Sequence, residues 1–221
     1  MRLTCAFPVE RIVLVHRGNH ATNLGCNRVE VKIGKVLELG RAAYVEVSKP
    51  AGLPIANRPI ILMARAKPEG KNGVVVARGG EWTGFSLYIE QGVPAFGIHR
   101  ERGGDTYIAK ANSPVAEGWM HLAGIVKEHR IELYVNGKQG ASTGTPGYIP
   151  NNAGQPMTIG FDSGDSAVQF TRPFDGVIDE VKGFHAALSA DEVARQASLN
   201  QEVSDMQRGQ PQTRSAGRRR G

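Results

Sequence analysis

Cysteine is scarce in this sequence: among 221 residues there are two, Cys5 and Cys26. Two cysteines exclude a disulfide framework and leave either one bond, formed in an oxidising compartment, or two unpaired thiols. Long apolar runs are missing as well. Nothing approaches the roughly 18 consecutive apolar residues of a membrane span. The run Ile12–Val15, downstream of Arg2, is too short for a signal-peptide core. On that reading the protein stays inside the cell, or a secreted form starts elsewhere than at Met1. Acidic residues vanish after Asp205, where Arg208, Arg214, Arg218, Arg219 and Arg220 carry five of the six net positive charges. Such a tail touches phosphate or anionic lipid nonspecifically. The basic balance therefore implies no specific nucleic-acid partner, and the body of the chain is close to neutral.

Glycine and proline, at 28 and 12 residues, are abundant, as suits many short strands joined by turns. A chain of this length fits one all-β domain. Residues up to about 30 show little pattern beyond turn material. Strands are expected at Lys35–Leu39, Ala43–Val47, Pro59–Lys67 and Gly73–Arg78, the last ended by Gly79-Gly80. Phe85, Leu87 and Ile89 alternate with Ser86, Tyr88 and Glu90, the period of a strand. Gln91-Gly92 turns the chain into Val93–Arg100, and Gly103-Gly104-Asp105 turns it into Thr106–Lys110, an antiparallel meander. Trp119–Lys127 is apolar on both alternating faces, with Trp119, Ala123 and Ile125 on one and Met120, Leu122 and Val126 on the other. Such a strand belongs in the middle of a packed sandwich. Its partner Ile131–Val135 ends at Asn136-Gly137, a pair that supplies the positive φ angles of a tight hairpin turn. Residues 138–155 read as a long loop, Met157–Phe161 as a short strand and Phe174–His185 as the last long one. The inward set is expected to include Leu87, Phe96, Leu122, Ile125, Leu133 and Ile159.

One helix is signalled after Ser189, an N-cap candidate whose capping-box partner is Glu192, with Leu188 and Val193 placed for a hydrophobic staple. It fades by Leu199. From Gln201 onward apolar residues almost vanish and the chain reads as disordered. The expected organisation is an N-terminal extension over 1–29, one sandwich domain over 30–200 and a basic tail over 201–221.

Five stretches, in order and spacing, carry a family resemblance. They are Gly118–Gly124 with Trp119 and His121, Ile131–Gly137 with Tyr134 and Asn136, Met157–Gly160, Phe174–Val181 with Asp179 and Glu180, and Leu188–Val193. Together they resemble the laminin-G-like jelly rolls of the concanavalin A-like superfamily. The resemblance implies an all-β, two-sheet antiparallel jelly-roll sandwich with one short C-terminal helix. It also implies a recognition role, for glycan or a protein surface, in an extracellular or periplasmic setting. Two positions depart from the family's pattern. Arg65 in Ala64–Pro68 stands where Trp is frequent, and Glu38-Leu39-Gly40 lacks an Asp that would serve a rim calcium. Gly73–Gly80 with Gly84–Tyr88 is also similar to modules at the C-terminus of some bacterial sulfatases. An accessory module or fragment of an extracellular sulfatase or glycoside hydrolase is therefore the alternative reading.

Fold does not give function, so each candidate site stands on its own residues. Sugar binding asks for an exposed ring flanked by hydrogen-bonding side chains. Trp82 lies in the glycine-rich stretch Gly79–Gly84 beside Glu81 and Thr83. Tyr107 and Arg100 share a face across a hairpin, and Tyr148 lies near Asn151 and Asn152. The competing reading is that these rings cap the sandwich edges. Asp162 and Asp165 flank Gly164 and could offer oxygens to calcium. His121 reads as a core histidine with a backbone partner, and His99 beside Arg100 as a surface candidate at a strand end. The nearest approach to a glycosidase carboxylate pair is Asp175, Asp179 and Glu180. Asp179 and Glu180 are adjacent, and a regular strand would send them to opposite faces. No catalytic residue is assigned.

Overall fold

The structure is a computed structural model that describes residues 4–7, 21–30, 35–40, 43–48, 53–162 and 166–198. The basic tail expected over 201–221, and Asp165, lie outside the described residues. The strands, in chain order, are β1 (Thr4–Phe7), β2 (Ala21–Leu24), β3 (Asn27–Glu30), β4 (Lys35–Leu39), β5 (Tyr44–Val47), β6 (Ile60–Pro68), β7 (Gly73–Gly79) and β8 (Gly84–Glu90). They continue with β9 (Val93–His99), β10 (Thr106–Lys110), β11 (Met120–Lys127), β12 (Arg130–Val135), β13 (Lys138–Gly144), β14 (Met157–Ile159) and β15 (Gly176–Phe184). The back sheet runs β13-β12-β11-β6-β15-β4-β3, with β1 also paired to β15. The front sheet runs β10-β9-β8-β7-β14-β5-β2. Every pairing described is antiparallel, which with two stacked sheets makes a jelly-roll sandwich. The stretch before residue 30 supplies three four-residue strands, too short to leave a readable period.

The core follows from the two-residue alternation of strands. Leu87, Phe96, Leu122, Leu133 and Ile159 are buried between the sheets. Gly124 of β11 lets the Phe96 ring lie against the back sheet, since a Cβ there would stand 2.3 Å from that ring. Ile125 corrects the expectation. It is fully buried, but on the outer face of β11 with Ile61, Met63, Ala123, Tyr134 and Val193. A helix over 190–198 covers that patch, which is why β11 is apolar on both sides. Ser189 caps the helix as read: Glu192 N–H donates to Ser189 Oγ at 3.3 Å, and Ser189 N–H donates back to Glu192 Oε2 at 2.9 Å. Leu188 and Val193 meet in the same outer cluster.

The region 138–155 is only partly loop. Asn136 and Gly137 have φ of 51° and 78°, and the resulting turn returns the chain as β13 along β12. Lys138–Gly144 is an edge strand of small and polar residues, so its extended form comes from the hairpin rather than from β propensity. The expectation for Asp179 and Glu180 is also overturned. Ile178 and Val181 both face the core, because β15 bulges between Asp179 and Lys182 with Glu180 at φ 51°. The extra residue leaves Asp179 and Glu180 together on the outer side. Glu180 N–H donates to Asp179 Oδ1 at 2.7 Å, and the Glu180 carboxylate pairs with Lys182.

Candidate functional site

In an antiparallel meander, alternate turns share an end. The β7–β8 turn and the β9–β10 turn therefore lie side by side, and the chain after β13 joins them. Gly79 and Gly84 pinch the first turn. A Cβ on Gly79, whose φ is +86°, would stand 2.1 Å from the Thr83 carbonyl, and one on Gly84 2.2 Å from the Arg78 carbonyl. Only glycine tolerates that approach. Gly80 N–H closes the turn on the Thr83 carbonyl at 3.2 Å. Trp82 is thus held out at the tip, 56% exposed.

Trp82 overhangs a cleft of about 510 Å³ whose walls include Thr83, Glu101, Arg102, Asn151, Asn152 and Gln155. The indole Nε1–H donates to Glu81 Oε1 at 3.2 Å, and the Arg102 guanidinium lies 4.3 Å from the ring centroid. That contact is a cation–π interaction and orients the ring. Asn152 Oδ1 accepts from the backbone N–H groups of Ile55 at 2.7 Å and Ala56 at 3.0 Å. Asn57 Nδ2 donates to the Pro150 carbonyl at 3.1 Å. These bonds fix one wall of the cleft against the segment after residue 53.

The structure brings together Trp82, Glu81 and Asn151 of the expected set. It separates the others. Arg100 Nε donates to the Tyr148 carbonyl at 3.0 Å. Tyr148 and Tyr107 are half-buried against the core, where they cap the sandwich edge and leave the cleft wall to other residues. Arg102 and Glu101 occupy the place expected for Arg100. Both were missed, as was Gln155, although the shared end of alternate turns was a signal available in the sequence. His99 is buried at 8% exposure, with Nδ1 3.1 Å from Thr106 Oγ1. Its neighbours on the front sheet are covered by Val168 and Phe170, the latter stacked on Tyr88 at 4.8 Å. His121 is buried, as expected of a core histidine, and its Nδ1 has no partner. Burial, with Lys182 and Arg65 nearby, pushes its pKa down to about 4.

Asp162 is buried at 5% exposure. No group of three or more His, Cys, Asp or Glu side chains able to hold a metal occurs among the described residues. Asp179 lies on the outer face of the back sheet, away from the cleft, and burial raises its pKa to about 6. Arg65, the departure from the family's Trp, lies over Trp119 with its guanidinium carbon 5.1 Å from the ring centroid. Cys26 is a free buried thiol, its pKa pushed up to about 11 by burial. No described helix is long and apolar enough to cross a membrane.

This is a two-sheet antiparallel sandwich whose loops gather an exposed aromatic ring and amide side chains at one rim. The chain belongs to the concanavalin A-like lectin/glucanases superfamily: a laminin-G family model matches residues 39–194. Among solved structures it is similar to domain 4 of an extracellular arabinanase from Geobacillus stearothermophilus, solved with arabinotriose. That match has 20% identity and a TM-score of 0.58, over 81% of this chain and 87% of that one. It is similar to the binding domain of Paraclostridial Mosquitocidal Protein 1, at 15% identity and a TM-score of 0.65, over 82% of this chain and 48% of the other. A third similar structure is of botulinum neurotoxin type C, in a study of its interaction with two ganglioside molecules. Here identity is 10% and the TM-score 0.67, over 88% of this chain and 50% of that one. The chain thus spans about half the length of these toxin chains. No curated protein matches it.

Proposed function

We propose that this domain is a non-catalytic recognition module that binds carbohydrate in the Trp82 cleft. The observation that carries the reading is the indole, 56% exposed on a glycine-pinched hairpin beside a cleft walled by amides. A flat apolar ring buries area at little rotamer cost, and sugar C–H faces suit it. Asn151, Gln155 and Glu101 supply donors and acceptors for hydroxyls around the ring. Structural neighbours solved with or for sugar-bearing ligands support the reading. The test is a glycan array with and without calcium, using the wild type and Trp82→Ala. Binding that Trp82→Ala leaves unchanged sinks the assignment of the cleft, and a calcium requirement would bring Asp162 and Asp165 back as ligands.

A second reading, an accessory module of a larger extracellular glycoside hydrolase or sulfatase, is favoured by the match over 87% of an arabinanase domain. A genomic neighbour encoding such an enzyme separates it from a free-standing lectin or a binder of protein surfaces. Either role places the domain outside the cell or in the periplasm. On both, the chain alone turns over no polysaccharide or sulfate ester. Turnover lost in Asp179→Asn would overturn that.

A further inference from the structure

We infer that the saccharide of the Trp82 cleft is an acidic one: Arg102 takes its carboxylate or sulfate group, and Asn152 Nδ2 donates to a second sugar oxygen. The inference rests on the cleft being the saccharide site. Arg102 is exposed on the β9–β10 turn, in the wall of the cleft. Its guanidinium carbon lies 4.3 Å from the Trp82 ring centroid. A cation–π contact supplies no countercharge and leaves free the N–H donors turned away from the ring. Two carboxylates are its neighbours in the chain or across the cleft, and both are turned elsewhere. Glu81 Oε1 accepts from the indole N–H at 3.2 Å. Glu101 lies back over its own turn, where its Cγ would stand 3.1 Å and its Oε1 3.9 Å from a Cβ on Gly104. Among the described residues Arg102 makes no ion pair. The cleft thus offers one unpaired, solvent-reachable cation beside the surface that a sugar ring would cover. A guanidinium fork matches the oxygens of an oxyanion, so a sugar that carries one can meet Arg102 and keep a C–H face on the indole.

Asn152 adds a second contact whose sense is fixed. Its Oδ1 accepts from the backbone N–H groups of Ile55 and Ala56 at 2.7 and 3.0 Å. Two donors facing one oxygen hold the amide in a single orientation, because a flip would set Nδ2 against them. What Asn152 has left for the cleft it walls is therefore Nδ2, a donor. Asn151 and Gln155 can each serve as donor or acceptor, whereas Arg102 and Asn152 can only donate. A ligand rich in acceptor oxygens suits that pair, and an acidic sugar is such a ligand.

The experiment applies the full chain to an array of neutral, uronate-containing and sulfated oligosaccharides, then titrates the best-bound glycan by calorimetry at low and high sodium chloride. The bound set should be acidic, and its affinity should fall as salt rises; uronates or sulfated glycans in that set name the anion. Arg102→Gln should weaken binding at least about tenfold and flatten the salt dependence. Asn152→Asp keeps an oxygen for the Ile55 and Ala56 N–H groups, so thermal unfolding should not come earlier, yet it replaces the donor by a like charge and should weaken the acidic glycan at least about tenfold. Wild-type affinity in Asn152→Asp overturns the donor role of Asn152. Neutral glycans bound as tightly as acidic ones, by a site that Trp82→Ala abolishes and Arg102→Gln leaves unchanged, overturn the acidic ligand and leave the cleft standing. Binding that Trp82→Ala leaves unchanged, or no binding at all, overturns the cleft and this inference with it.

Discussion

The molecule has two tryptophans, each with an arginine over its ring, and they sit in different settings. Arg65 covers Trp119 on the flat outer face of the back sheet, next to the buried His121 and the bulge at Asp179. Arg102 covers Trp82 at a hairpin tip, where the indole is 56% exposed. The pair chemistry is the same in both. Backbone context decides: Trp119 continues into a central strand with partners on both sides, whereas Trp82 hangs on a turn pinched by Gly79 and Gly84. Stability should therefore reside around Trp119 and recognition around Trp82.

The largest test of that contrast is Leu122→Ala, on the strand that follows Trp119. It should cost about 2–5 kcal/mol in urea denaturation. A loss under about 1 kcal/mol would mean the central strand is not the anchor.

Acid titration sharpens the contrast on the Trp119 side. His121 has a folded pKa near 4 against an ordinary 6.5, so its protonation favours unfolding. The stability of the neutral ring is whole above pH 6.5 and falls, by about 3 kcal/mol, as pH drops to 4. Asp179 has a folded pKa near 6 against an ordinary 3.8, the opposite sign. Its contribution is whole below pH 3.8 and is lost, by a similar amount of about 3 kcal/mol, as pH rises through 6. The two nearly cancel between pH 4 and 6.5. Relative to wild type, Asp179→Asn should therefore lose stability on acidification and His121→Gln should gain it. Parallel pH profiles for all three proteins would refute the opposition.

Trp82→Ala should weaken a bound saccharide by about 1–3 kcal/mol, by analogy with stacking of other flat rings. Its effect on unfolding should stay within about 0.5 kcal/mol. Trp119→Ala should reverse that order. A blue-shifted emission from Trp82 without ligand, read in a Trp119→Phe background, would instead show a ring folded back over the edge. The smallest effect belongs to the helix that covers the outer cluster: Ser189→Ala should cost about 1 kcal/mol by removing the cap, with ligand binding unchanged.

Strand positions from Lys35 to Phe184, β13 apart, were legible in the sequence because a strand's period depends on near neighbours. So was the capping box, which closes within four residues, and so was the exposure of Trp82, because glycine pinching is local. Legibility ended where residues far apart meet. β13 looked like loop because its hairpin partner, rather than its composition, extends it. The bulge in β15 hid the common face of Asp179 and Glu180 behind an ordinary alternating pattern. Arg102 was missed because the depth of the β9–β10 turn depends on how it packs against the chain after β13.

By itself the sequence determined that this chain makes an antiparallel sandwich with an apolar strand at its centre and a tryptophan on a glycine turn. Each of those features is written in contacts within a few residues. Only the tertiary structure decided that Arg102 lies on Trp82 and that Tyr107 and Tyr148 are half-buried against the core. Those outcomes depend on which turns share a rim, and the order of strands in the sheets sets that through burial shared across the whole chain.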